Sequence, residues 1–218
     1  MPTKRERIIE KMRRYRNDPR DRGDVMGIVT ADAWSLQFAP PMFRFDKKVC
    51  ETGVKQYGPA LEFCAKEYRD NRKFVETAMK DTGMAGMFAG EKLRDDKELM
   101  MKGCEYAGAM LEFCSQNLRA DEDVALMAVR RDGRAMQSVK PELKENKAWV
   151  LKAVAANPQS LNWVPGKLRH DEDVKRAIRK SSSLPNLRRS PRRRTASPHR
   201  PPPKPQKGPK PLKSYWSC

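Results

Sequence analysis

The stretch Leu118-Arg119-Ala120-Asp121-Glu122-Asp123-Val124-Ala125-Leu126-Met127-Ala128-Val129-Arg130-Arg131-Asp132-Gly133-Arg134-Ala135-Met136 decides the fold. Its opening returns as Leu93-Arg94-Asp95-Asp96-Lys97-Glu98-Leu99 and again as Leu168-Arg169-His170-Asp171-Glu172-Asp173-Val174, with starts 25 or 50 residues apart. Weaker copies begin at Phe43, Tyr68 and Leu143, and a degenerate one before them carries Asp21, Val29, Leu36 and Phe38. Self-similarity at a fixed period of this length predicts stacked supersecondary units that share one continuous core.

One unit can be read in physical terms. Asp121 precedes Val124, Ala125, Ala128 and Val129, a spacing that paints one apolar stripe along a helix. Gly133 is expected to end that helix by adopting a positive φ. A shorter helix is expected around Ala135, Met136 and Val139, and Pro141 with the next Leu-Lys pair closes the unit. The helix start is occupied by Asp46, Asn71, Asp96, Asp121, Asn146 and Asp171. Their short side chains can accept hydrogen bonds from the unpaired N–H groups of the first turn. The turn position holds Gly58, Gly83, Gly108 and Gly133, then Pro158 after Asn157. A position inside the long helix is always small: Gly53, Ala78, Gly103, Ala128, Ala153. Glycine costs up to ~1 kcal/mol in a helix interior, so close approach of neighbouring helices is the expected reason. The fold class is therefore all-α, a solenoid of helix-turn-helix repeats of about 25 residues.

The string Leu-Arg-x-Asp-x-x-Val followed by Ala-Val-x-x-x-Gly-x-Ala-hydrophobic, clearest in Leu118–Met136, resembles the helical repeats of domain-of-unknown-function family 4116, common in protists and some bacteria. The resemblance runs over residues 43–180, with departures at Phe43-Arg44-Phe45 and at Pro158. It implies a small helical repeat fold and assigns no catalytic residue and no ligand.

Charge divides the 218-residue chain into three. The formal net charge is +18, of which residues 1–20 carry +5 and residues 181–218 carry +10, leaving +3 for residues 21–180. In residues 1–20, Thr3 and Glu6 have capping-box spacing, and Ile8, Ile9, Met12 and Tyr15 form an apolar stripe, so a basic amphipathic capping helix is expected there. The same helix could instead meet a membrane surface, nucleic acid or calmodulin. Residues 181–218 contain nine prolines and no acid, and almost no apolar residue before Leu212, Tyr215 and Trp216. Such a segment cannot bury enough surface to order itself, so a disordered, Pro-rich basic tail is expected. Within it Arg188, Arg189, Arg192, Arg193 and Arg194 form a basic run suited to an acidic partner, to nucleic acid or to nuclear import. Ser190-Pro191 and Ser197-Pro198 place two phosphorylatable serines in that run, where phosphates would offset its charge. Pro202 to Lys207 fits a P-x-x-P-x-K ligand of SH3-type domains.

Two further periodic columns have alternative readings. Arg44, Arg69, Arg94, Arg119, Lys144 and Arg169 recur two positions before each helix start. They either track a phosphate backbone or answer local helix dipoles and acids. Phe38, Phe63, Phe88, Phe113 and Trp163 either stack on bases or belong to the core between units. Cys50, Cys64, Cys104 and Cys114 sit at apolar positions and read as reduced, buried small hydrophobes, which places the protein inside the cell, nuclear or cytoplasmic and not secreted. No apolar run approaches a membrane span, and the charged N-terminus lacks the apolar core of a secretory signal. His170 and His199 are the two histidines, and the paired acids recur with the repeat, so no catalytic residue, metal or cofactor is assigned.

Function follows as an expectation: a non-catalytic interaction or scaffold protein whose array binds protein and whose tail binds an acidic partner. The alternatives are an RNA-binding protein using tail and Arg column, and an accessory subunit of a large complex. Enlarging the small helix position tests the packing scheme directly. Ala128→Leu should overpack the stack and lower stability by roughly 1–3 kcal/mol in a thermal melt.

Overall fold

The computed structural model describes residues 3–183, and all the regular structure among them is helical. The ten-residue helices Arg22–Ala31, Lys47–Gln56, Arg72–Asp81, Lys97–Tyr106, Glu122–Arg131 and Lys147–Ala156 start 25 residues apart, and Glu172–Ser183 ends the series. Each long helix packs on the next, forming one column. The stripe expected in one unit is the buried one: Val124, Ala125, Ala128 and Val129 are each fully covered. Neighbouring stripes merge into a single core that runs from Met12 to Val174. The chain is thus an all-α helical repeat array.

Each unit has three helical segments rather than two. After the long helix comes a six-residue 3₁₀ helix, as in Gly58–Phe63, Gly108–Phe113 and Gly133–Ser138. A short α-helix follows, as in Lys66–Arg69, Gln116–Ala120 and Pro141–Glu145. The expected second helix is therefore 3₁₀, and the residues read as a closing turn form a helix of their own. The 3₁₀ form has three residues per turn, so positions i, i+3 and i+6 share one face. Gly108, Leu111 and Cys114 occupy that face and are all buried. Pro158 preserves the geometry, because proline is tolerated in a first helical turn, and Pro158–Trp163 is 3₁₀ as well.

The turn glycines serve close approach, not chain reversal. None takes a positive φ, which corrects the expected reason for glycine. A Cβ on Gly108 would lie 2.5 Å from the Ala128 carbonyl oxygen and 2.9 Å from the Asp132 nitrogen, in the next unit. Gly83 meets the Gly103 carbonyl at 2.9 Å, Gly58 meets Ala78 more closely still, and Gly133 meets the Ser160 nitrogen at 2.8 Å. The small position of the long helix is explained the same way. A Cβ on Gly53 would touch Leu36 and Val29 at 3.3 Å, and one on Gly103 would touch Met110 at 3.1 Å.

Main-chain hydrogen bonds also join the units. The N–H groups of Ala65, Gly90, Ser115 and Lys140 donate to the carbonyls of Arg44, Arg69, Arg94 and Arg119, at 2.9 to 3.1 Å. These acceptors stand at the ends of short helices, where carbonyls lack an intrahelical partner. Pro165 occupies the next donor position and has no N–H, so this ladder cannot continue there. At the N-terminal end, α1 (Lys4–Arg14) is held by the Thr3–Glu6 capping box, at 2.6 and 3.2 Å. Its Met12 is fully buried, and Arg13 lies over the Phe38 ring at 5.2 Å.

Two alanine substitutions should separate the glycine roles. Gly108→Ala should destabilise the array by roughly 1–3 kcal/mol, because its Cβ meets backbone that cannot yield. Gly23→Ala has open space around it and should raise stability by about 0.5–1 kcal/mol. Paired thermal melts of the two variants check both signs.

Candidate functional site

Arg188, Arg189, Arg192, Arg193 and Arg194, with Ser190 and Ser197, lie outside the described residues. The surface that the structure describes is that of the array. Its basic column is turned inward on the protein's own carbonyls. Arg44 donates from Nε to Ala39 O at 3.1 Å and from Nη2 to Gln37 O at 2.6 Å. Arg119 Nε donates to Ser138 O at 2.7 Å, and Lys144 Nζ to Gln137 O at 2.9 Å. Arg169 Nη2 donates to the Asn162 and Val164 carbonyls at 2.9 and 3.0 Å. All these acceptors belong to the C-terminal ends of 3₁₀ segments, the negative pole where cations are stabilising. Arg69 and Arg94 occupy the same position with Nε buried and without a protein hydrogen-bond partner. Burial, with the Arg119 charge nearby, pushes the Lys144 ammonium below its ordinary value.

A second charge column escaped the sequence reading. The residue just after a helix start pairs with the start residue of the following unit and with the acid two places on. Lys97 Nζ reaches Asp121 at 2.8 Å and Asp123 at 2.9 Å, and Lys147 Nζ reaches Asp171 and Asp173 at 2.8 Å. Arg72 binds Asp96, and also Glu98 at 2.8 Å, while Arg22 Nε binds Asp46 at 2.6 Å. The signal was present as a base with acids 24 and 26 residues later. It is invisible within one unit, because the partners meet only after stacking. Where the start residue is Asn71 or Asn146, no such ion pair is available, and Trp149 Nε1 instead donates to the Glu122 carbonyl at 3.1 Å.

All six start residues cap as expected. Asp121 accepts from the Asp123 and Val124 N–H groups at 3.1 Å, and Asn71 from those of Lys73 and Phe74 at 3.0 and 3.4 Å. Burial raises the Asp121 carboxyl, but the Lys97 ammonium and the Val124 N–H outweigh it and hold the group below its ordinary value of 3.8. Asp46 is raised by burial and drawn below its ordinary value by Arg22. The Asp171 carboxyl is drawn down chiefly by Lys147.

The aromatic column packs half-buried against the core, which is the reading that needs no ligand. Cys50, Cys64, Cys104 and Cys114 are free and buried. A hydrogen bond with Cys64, then burial, raises the Cys50 thiol far above its ordinary value, and Cys114 does the same for Cys104. Phe45 is the most exposed large apolar side chain among the described residues, at 62 %, and its carbonyl accepts the Tyr68 hydroxyl at 2.5 Å. Among the described residues no helix is long and apolar enough to cross a membrane.

One concavity opens at the N-terminal end, between α1 and α2 (Arg22–Ala31). It measures about 590 Å³ and is lined by Arg7, Ile8, Lys11, Gly23, Asp24, Gly27, Ile28 and Ala31. Asp24 is engaged there by the Tyr15 hydroxyl at 3.1 Å.

Residues 46–94 and 96–144 each match the family model described as Domain of unknown function (DUF4116). The two matches lie in tandem. Comparison with curated proteins and with solved structures gave no match. Each DUF4116 match spans two structural units and opens on a helix-capping aspartate, Asp46 or Asp96. The match is narrower than the resemblance over 43–180. The unit from Asn146 to His170 lies outside it, yet has the same three helical segments as the DUF4116 units.

The capping aspartates make the array sensitive to acid. A carboxylate whose folded pKa is depressed contributes stability above its unfolded pKa, and that contribution is lost as pH falls through the folded value. Melting temperature should therefore fall on acidification below about pH 4. Asp121→Asn keeps the cap, as Asn71 and Asn146 do, and should flatten that fall. Asp121→Ala also loses the cap and should cost about 1 kcal/mol at neutral pH. Melts across pH for the three proteins distinguish charge from cap.

Proposed function

We propose that this chain is a non-catalytic interaction module, with the repeat array binding protein and residues 181–218 binding an acidic partner. One observation carries the division of labour: four of the six side chains of the periodic basic column, Arg44, Arg119, Lys144 and Arg169, donate to carbonyls of 3₁₀ segments. Three of these side chains tie a short helix to the 3₁₀ segment of its own unit and Arg119 reaches the next unit, which argues against a continuous phosphate track along the array. The array is close to charge-balanced at +3, and much of its charge meets opposite charge across the stack. A surface of that kind suits protein contact, where charge patterns set specificity more than raw affinity. The ten bases and no acid of residues 181–218 supply an electrostatic hold on an acidic partner instead. On this reading the protein works inside the cell, where its free cysteines stay reduced.

RNA is the sharpest acidic probe of the tail. The full chain is compared with a full chain in which Arg188, Arg189, Arg192, Arg193 and Arg194 are all alanine. Binding of a fluorescent single-stranded RNA is followed by anisotropy over a salt series. If the run neutralises about five phosphates, the log–log salt slope should be near about −3.5, losing roughly a hundredfold in affinity between about 50 and 200 mM salt. The alanine chain should lose most of that slope. Equal binding by both chains would move the acidic-partner site off the tail.

A further inference from the structure

The first long helix carries glycine at two positions where no other unit does. In the units that start at Asp96, Asp121, Asn146 and Asp171, the second or sixth residue after the helix start reaches back to the preceding long helix. Glu98 meets Arg72 at 2.8 Å, Asp123 meets Lys97 at 2.9 Å and Asp173 meets Lys147 at 2.8 Å. Lys102 meets Glu76 at 3.4 Å, and Lys152 meets Glu122 at 3.8 Å. In α2 the same positions are Gly23 and Gly27, with Ala31 one turn further, and the helix before them is the capping helix α1 rather than a repeat helix. A Cβ on either glycine would meet nothing within 4 Å, whereas the helix glycines Gly53 and Gly103 are both crowded at 3.1 to 3.3 Å. Glycine in a helix interior is unfavourable, and no contact within the described residues requires these two.

The resulting groove has an apolar floor and a positive rim. Ile8 of α1 and Gly27, Ile28 and Ala31 of α2 form the floor. Arg7 and Lys11 project from α1 at the rim, exposed and without an ion-pair partner among the described residues. Asp24, the acid in the lining, is already engaged by Tyr15. The groove lies between α1 and α2, along the α2 positions that in the units of Asp96, Asp121, Asn146 and Asp171 carry side chains reaching the preceding long helix. Small residues on one helix let a second approach closely, since interaxial distance follows the side chains at the contact.

We propose that this groove docks an acidic amphipathic helix of a protein partner. The apolar face of that helix rests on Gly23, Gly27, Ile28 and Ala31, and its carboxylates meet Arg7 and Lys11, a helix-in-groove mode of recognition. The rim charge decides against the chain's own residues 181–218, which bring ten bases and no acid. The proposal rests on the reading of the array as a protein-binding module and names one partner chemistry for it.

The test uses the full chain and two synthetic fluorescein-labelled helical peptides. Both carry Ala and Leu on one face; one carries Glu and the other Lys on the opposite face. By anisotropy, the Glu peptide should bind at least about tenfold more tightly than the Lys peptide. The pair Gly23→Leu and Gly27→Leu should weaken that binding by at least about tenfold while melting no lower than the parent, since both positions have open space. The pair Arg7→Glu and Lys11→Glu should reverse the peptide preference. Equal binding of both peptides overturns the proposal. Glu-peptide binding that survives the leucine pair overturns the groove but leaves the array a protein-binding module. Binding of neither peptide overturns the groove alone, because that wider reading does not depend on this face. Concentration-dependent dimers in sedimentation, abolished by the leucine pair, would assign the groove to a second copy and overturn the acidic helix.

Discussion

Backbone-to-backbone contact at the turn glycines is the constraint on which the stack depends. Gly58, Gly83, Gly108 and Gly133 each bring the start of a 3₁₀ segment against main-chain atoms of the following unit. Main-chain atoms and the first side-chain carbon of the following unit fill the space a Cβ would need, so the spacing between units is set close to the thickness of the chain itself. Between the ends of the array the buried stripes meet closely, and alanine or glycine occupies the middle of the five long helices there, at Gly53, Ala78, Gly103, Ala128 and Ala153. Interiors packed at crystal-like density transmit such a constraint, because neighbouring side chains have no free volume in which to adjust.

Polar groups are organised around the same spacing. The start residue of a long helix caps its own first turn and, when it is aspartate, also receives a cation from the unit before. One carboxylate thus serves local structure and stacking together. The basic residue at the end of each short helix presents its carbonyl to the next unit in four of the units, while side chains in that position reach the carbonyls of a 3₁₀ segment. The two charge columns are therefore part of the framework. Exposed ion pairs contribute little individually, and their regular repetition here matters more for register than for net stability.

On the proposed reading, recognition falls to the places where the period breaks, because the framework uses most of its periodic charges internally. The chain has two such places. One is the segment after Ser183, where acids stop and bases accumulate. The other is the N-terminal end, where α2 has glycines at positions that the units from Asp96 onward use to reach back to the preceding long helix. Solenoid ends must be covered or used, because the terminal unit has no neighbour to bury its face. Here α1 covers the core through Met12 and still leaves a concavity beside α2.

What could be read from sequence was whatever a single unit carries within itself. The period, the long helix with its Val124–Val129 stripe, the Asp or Asn caps and the small position of Ala128 all depend on neighbours within one turn or on the repeat itself. The split of charge between array and tail was equally legible. Tertiary structure alone decided the rest. The 3₁₀ form of Gly133–Ser138 was hidden because i, i+3 apolar spacing fits both helix types. The glycine at each turn looked like a conformational residue, and only the position of the next unit reveals that a Cβ has nowhere to go. The Lys97–Asp121 class of ion pair spans 24 residues and exists only once units are stacked. Local preferences are written in the chain at short range, whereas contacts between units depend on a distance that the folded backbone sets.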